Sequence, residues 1–148
     1  MKKYFGSMLA VFGLGLTVAI GAAWAIDVTG VTCPVSGAPV KEDASVDYRG
    51  GKLYFCCNKC PVSYGKDKQK YATKANLQLV ASGQAAQEKC PISKHDFDED
   101  TTLDVGGVSV KFCCDKCVKA VTEVEGDDKL DLVFGDKVFD DAYKVTAE

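Results

Sequence analysis

The sequence predicts an α+β protein of two tandem small cysteine modules, each a β-hairpin plus a short helix, linked by strand pairs. Three observations point there. The eight cysteines are Cys33, Cys56, Cys57, Cys60, Cys90, Cys113, Cys114 and Cys117, and the last four repeat the first four at an offset of 57. The text around them repeats as well, with 12 of the 28 positions in 33–60 identical in 90–117, so the chain carries a tandem duplication. In each copy, two short apolar runs flank a glycine pair just before the cysteine cluster, the pattern of a hairpin feeding a helix.

Residues 1–25 read as a signal peptide. Lys2 and Lys3 precede an uncharged stretch from Tyr4 to Ile26, which closes on the small-x-small signature Ala23-Trp24-Ala25. The stretch is long enough to span a bilayer, but Gly6, Gly13, Gly15 and Gly21 favour cleavage over retention as an anchor. Without these residues 123 remain, carrying 16 basic and 21 acidic side chains, a net −5. The expectation is a periplasmic or secreted protein, in contact with a membrane only if the leader stays. An acidic chain lacks the basic face that nucleic acid requires. A chain this short is also too small for a large cleft enzyme, and no catalytic residues are expected.

Module one, residues 26–83, opens on Cys33-Pro34, where Ser36-Gly37 makes a tight turn. Val46 to Tyr48 and Leu53 to Phe55 then form a hairpin around Arg49-Gly50-Gly51-Lys52. A short helix begins near Cys60, with Pro61 suited to its first turn. Gln78 to Ala81 and Ala85 to Glu88 read as a strand pair turning at Ser82-Gly83.

Module two, residues 84–148, repeats the plan. Leu103 to Val105 and Val108 to Phe112 flank Gly106-Gly107, and a helix starts near Cys117. Val133-Phe134 and Val138-Phe139 read as the second strand pair, turning at Gly135-Asp136. Past the cysteines the copies realign at an offset of 53, which puts Tyr143 where a third module's first cysteine would stand. The tail therefore reads as a capping strand.

A module of about 57 residues buries too little apolar surface to be stable alone, so a metal, disulfides or a neighbour must supply the difference. Four thiols gathered at a turn, a hairpin end and a helix start can bind a thiophilic ion, Cys33, Cys56, Cys57 and Cys60 as site one and Cys90, Cys113, Cys114 and Cys117 as site two, since helix-start amides favour thiolate over thiol. Repeat one has no histidine, so its donor set is all sulfur and suits copper(I), zinc or toxic soft ions, up to one per repeat.

The spacing Cys33, Cys56, Cys60 resembles the TRASH/YHS-type cysteine modules of heavy-metal trafficking, resistance and sensing. Tyr48-Arg49-Gly50-Gly51-Lys52-Leu53-Tyr54-Phe55-Cys56 is similar to the hairpin of that family. Ser63-Tyr64 and Asp67-Lys68-Gln69-Lys70-Tyr71 are similar to the helical run that follows it. The resemblance covers nearly all of repeat one and the first half of repeat two. It implies a treble-clef-like fold for each module, and Cys33, Cys56 and Cys60 as ligands with Cys90, Cys113 and Cys117 as their counterparts. A metal transporter or another exported protein would then be a natural partner.

Two departures stand out. Ser36 and Ser93 replace a second cysteine common in the family, and Cys57 and Cys114 add a thiol beside the usual one. Neighbours on a strand face opposite ways, so Cys57 joins Cys56 at one ion only if the strand has already ended. Three sulfurs suit copper(I), and a fourth suits zinc.

Two rival accounts of the cysteines remain open. An exported chain with an even cysteine count fits a disulfide-stapled structural or interaction module. Cys57-Asn58-Lys59-Cys60 and Cys114-Asp115-Lys116-Cys117 are also C-x-x-C pairs, but neither copy is long enough for the βαβ unit that carries redox dithiols. His95, the single histidine, aligns with Ala38 and reads as a solvated loop residue, or else an accessory ligand in module two. Asp96, Asp98, Asp100 and Asp104 imitate a calcium loop, but Thr101 and Gly107 occupy its glycine and bidentate-acid positions.

Overall fold

The computed structural model describes residues 26–146, so the signal peptide expected at 1–25 lies outside the described residues. In chain order the elements are β1 (Lys41–Tyr48), β2 (Gly51–Phe55), α1 (Cys60–Lys66), α2 (Lys68–Ala81) and β3 (Ala85–Gln87). The second half continues with β4 (Asp98–Val105), β5 (Val108–Phe112), α3 (Asp115–Thr122), α4 (Gly126–Phe134), α5 (Asp136–Ala142) and β6 (Tyr143–Val145). The α+β class holds, with tandem small modules and three antiparallel strand pairs, β1–β2, β4–β5 and β3–β6. No helix among the described residues is long and apolar enough to cross a membrane.

The two hairpins are built alike. Tyr48 pairs with Gly51 and Val105 with Val108, so each turn holds two residues, both at positive φ: Arg49 (50°) and Gly50 (86°), then Gly106 (66°) and Gly107 (83°). That geometry matches the right-handed twist of the strands it joins. The first turn is shorter than the four residues expected, because Gly51 and Lys52 belong to β2. Each hairpin also slips register at the same place, between Lys41 and Ser45 and between Asp98 and Thr102.

Helices begin at both cysteine clusters, as expected. Pro61 sits in the first turn of α1, where a missing N–H costs nothing. Asp67 caps α2 by accepting the Lys70 amide at 3.1 Å.

Two expected strand pairs are corrected. Residues Gln78 to Ala81 are the last turn of α2, not a strand. The buried positions Ala72, Ala75, Asn76 and Leu79 recur every three or four residues, which is helical spacing, and the short Leu-Gln-Leu-Val run alone does not distinguish the two periods. Val133-Phe134 and Val138-Phe139 likewise lie on α4 and α5, with Gly135 between them. A side chain at Gly135 would meet the Asp131 carbonyl oxygen at 2.5 Å, so close approach of backbone, not a hairpin turn, requires this glycine. The strand at Ala85 does form, but its partner is the chain's tail: Ala85 pairs with Val145 and Gln87 with Tyr143. The tail thus forms strand β6, paired with β3.

Glutamine side chains close the open hairpin edges, two of them, Gln78 and Gln84, buried and Gln87 half-buried. Gln78 accepts from the Tyr54 amide at 2.6 Å and donates to its carbonyl at 2.9 Å. Gln84 does the same for Lys52, and Gln87 for Lys111, the counterpart of Tyr54 in the second copy. Each amide side chain replaces one residue of a missing strand and satisfies backbone groups that would otherwise be stranded.

One apolar cluster gathers Cys33, Ala44, Leu53, Phe55, Cys60, Tyr64 and Ala75. The larger one holds Phe112, Val121, Phe134, Phe139 and Tyr143 of the second repeat, and Leu79 of α2 is buried within it. Leu77 and Val80 pack against that same cluster, so a helix encoded in repeat one completes the core of repeat two.

Candidate metal centres

Each centre is assembled from three pieces of chain. The first is the turn after Cys33, closed by Cys33 N–H to Ala38 C=O and Gly37 N–H to Cys33 C=O, both 2.8 Å, with Gly37 at φ 73°. The second is the end of β2, which stops at Phe55 and leaves Cys56 and Cys57 beyond the strand. The third is the first residue of α1, Cys60, whose amide donates to the Cys57 carbonyl at 3.2 Å.

The second copy repeats every contact. Cys90 N–H reaches the His95 carbonyl at 2.8 Å, Lys94 N–H reaches the Cys90 carbonyl at 2.9 Å, and Cys117 N–H reaches the Cys114 carbonyl at 3.0 Å. Lys94 takes the glycine's place at φ 62°.

These pieces bring together Cys33, Cys56 and Cys60, whose sulfurs all lie within 4.8 Å of one another, and likewise Cys90, Cys113 and Cys117. The Sγ atoms of Cys56 and Cys60 are 3.6 Å apart, and those of Cys113 and Cys117 3.5 Å. All eight cysteines are unbridged thiols. Sulfurs bound at about 2.3 Å to one ion stand about 3.8 Å apart in a tetrahedron and about 4.0 Å in a triangle. These two separations fall slightly short of those values and the remaining sulfur pairs lie within 4.8 Å, so each triad could hold a thiophilic ion.

Cys57 and Cys114 sit differently. The strand has ended, so Cys57 is free to turn inward, yet it lies outside the triad, exposed, with Sγ 3.6 Å from that of Cys60. Cys114 is likewise exposed, its sulfur 3.6 Å from Cys113 and 3.9 Å from Cys117.

Charge is divided unevenly among the thiols. Burial pushes Cys33 up, but the Ser36 hydroxyl and the amides of Cys56, Ser36 and Val35 outweigh it and bring the thiol down to about 7. Cys90 also falls to about 7, burial again being overcome by Ser93 and by the amides of Ser93, Cys113 and Ile92. Burial, reinforced by the neighbouring sulfurs, pushes Cys60 and Cys117 up to about 12. Cys57 is lowered by the amides of Lys59 and Cys60, and Cys114 by the amide of Cys117 and the thiol of Cys113. Near neutral pH each triad therefore pairs a partly ionised first cysteine with a protonated last one.

Ser36 and Ser93 join the site as well, a role signalled in sequence only by their identity in both copies. The hydroxyl oxygen of each lies 3.1 Å from the sulfur of Cys56 or Cys113, and each accepts a backbone amide at 3.3 Å, from Ala38 or His95.

The remaining candidates fall elsewhere. His95 is exposed and outside the sulfur group. Asp98 opens strand β4 and accepts the Asp100 amide, Asp104 accepts the Gly107 amide, and Asp96 pairs with Lys89 at 3.0 Å. Three aspartates of the second repeat meet side chains of the first: Asp127 pairs with Lys74 at 3.1 Å, Asp131 accepts from Thr73, and Asp136 binds Arg49. Comparison with protein-family models, with curated proteins and with solved structures gave no match.

Proposed function

We propose that the chain is an exported, non-enzymatic carrier of thiophilic metal ions, holding one per repeat, of the trafficking, resistance or sensing type that TRASH/YHS-like modules serve. The observation that carries this reading is the recurrence, at an offset of 57, of a three-sulfur cluster in the same cradle of serine hydroxyl and backbone amides. A disulfide staple needs no such cradle, which favours thiolate and so favours ligation. Cys33, Cys56 and Cys60 are the ligands of site one, and Cys90, Cys113 and Cys117 those of site two. Copper(I) is the ion a three-sulfur set suits best, and zinc is the alternative if a fourth thiol closes the site. The ion would be taken from or passed to a metal transporter or another protein in the periplasm or outside the cell.

The test is native mass spectrometry of the reduced protein after exposure to copper(I) or zinc. Two ions per chain are expected, falling to one in a Cys56→Ser variant and to none when Cys113→Ser is added. A wild-type chain that takes up no ion, or a double variant that still holds two, would sink the reading.

A further inference from the structure

The triads leave one thiol per repeat unused. Cys57 and Cys114 are exposed, whereas Cys33, Cys60, Cys90 and Cys117 are at most 8% exposed. Each lies outside its triad but within 4 Å of the triad's last sulfur, 3.6 Å for Cys57 to Cys60 and 3.9 Å for Cys114 to Cys117. That is the spacing of two ligands on one ion. An ion held between Cys57 and Cys60 would already share one ligand with the triad, on the side open to solvent.

Resting on the metal-binding reading above, we propose that Cys57 and Cys114 are exchange thiols: each accepts copper(I) from a thiolate donor and hands it to the triad behind it, whose first and last sulfurs are buried and whose middle one is half-buried, without holding it at equilibrium. The arrangement addresses an access problem. A donor cannot bring its own sulfurs to Cys33, which is 1% exposed, without unfolding the turn around it. An exposed sulfur beside Cys60 lets bonds be exchanged one at a time, so the ion is never released bare.

The bonds and protons balance. For a donor holding copper(I) between two thiolates, the Cys57 sulfur–copper bond forms as one donor bond breaks, and the Cys57 proton goes to the released donor sulfur. Cys60 then replaces the second donor sulfur in the same way. Finally the Cys33 thiolate and the Cys56 sulfur bind copper, and Cys57 leaves as a thiol with the proton that Cys56 gives up. No electron changes hands.

The experiment presents copper(I) as its bis-glutathione complex to the reduced full chain and follows the copper–thiolate absorbance by stopped flow. Affinity and capacity are measured separately by competition with bicinchoninate. In the variant carrying Cys57→Ser and Cys114→Ser, two ions per chain and an affinity within threefold of wild type are expected, with uptake at least tenfold slower. Cys57→Ala with Cys114→Ala should behave alike, which guards against a serine disturbing the helix start. Uptake at the wild-type rate would overturn the proposal. So would a tenfold loss of affinity, which would make these thiols standing ligands while leaving the metal reading intact. A wild-type chain that takes no copper under the same conditions would instead remove the metal reading itself, and the proposal with it.

Discussion

Arg49, at the tip of the first hairpin, reaches across to the second repeat and pairs with Asp136 at 2.9 Å. The same guanidinium pairs with Asp140 and lies over the Phe139 ring, 5.2 Å from its centroid. Asp136 also accepts from Asn76, a fully buried amide that takes the Tyr48 hydroxyl and donates to the Phe134 carbonyl. One residue at positive φ is therefore tied to the partner repeat by charge, ring and amide together, and this junction should be measurable.

Arg49→Ala should lower stability by about 1–2 kcal/mol, more than an isolated surface ion pair would, because the side chain is half-buried and also stacks. Burial raises the Asp136 carboxyl, but hydrogen bonds from Asn76 and Arg49 outweigh it and hold it below its ordinary 3.8. A depressed carboxyl contributes stability above its unfolded value, lost as pH falls through the folded one. The stability gap between wild type and Asp136→Asn should thus be full at pH 7 and shrink below about pH 4. Thermal melts at pH 7 and pH 3 would show it, and a gap that widened in acid would contradict the assignment.

Leu79 tests whether the halves share a core. It is encoded in repeat one but buried in the second repeat's cluster. Leu79→Ala should cost about 2–5 kcal/mol, the range for a buried leucine. Urea unfolding followed at separate probes in the two repeats should show both shifting to lower denaturant. A shift confined to one repeat would mean that the cores unfold independently.

Local signals made the hairpins, the helix starts and the sulfur clusters legible. Gly50 and Gly106-Gly107 mark turns that need positive φ, Pro61 marks a helix start, and duplication shows which cysteines act as a set. What stayed hidden was set by contacts between the repeats. Gln78 and Gln84 look like polar surface residues in sequence, yet they turn inward to close the β2 edge. Val133-Phe134 and Val138-Phe139 look like strands around a glycine, and only packing of α4 and α5 against α2 and Arg49 fixes them as helix. Division of the thiols into triad and exposed neighbour is legible only through the family spacing, because Cys56 and Cys57 are adjacent and chemically identical.

Ser36 and Ser93 should matter for affinity rather than for fold. Each hydroxyl supports the ionised form of the first cysteine and touches the second. Removing an outer partner of a metal ligand typically costs about 10–100-fold in affinity. Ser36→Ala with Ser93→Ala should therefore weaken copper(I) binding by roughly tenfold at pH 7, with melting of the metal-free protein little changed. Chelator competition would check it, and unchanged affinity would show that the backbone amides alone hold the thiolate.

Proton release on binding should report the same division of charge. On the proposed reading each ion takes three thiolates and so displaces the protons its ligands still carry. Below pH 7 the first cysteine of each triad is mostly protonated and contributes to that release, while above pH 7 it has already ionised. Cys60 and Cys117, pushed up to about 12, release their protons to the metal at any pH in the working range. Binding should hence strengthen as pH rises, with nearly one proton fewer released per ion at pH 8 than at pH 6. Calorimetric titration in buffers of different ionisation enthalpy gives that count directly. Equal release at the two pH values would mean that no cysteine of the triad titrates near neutrality, and the hydrogen bonds around Cys33 and Cys90 would then not be stabilising a thiolate.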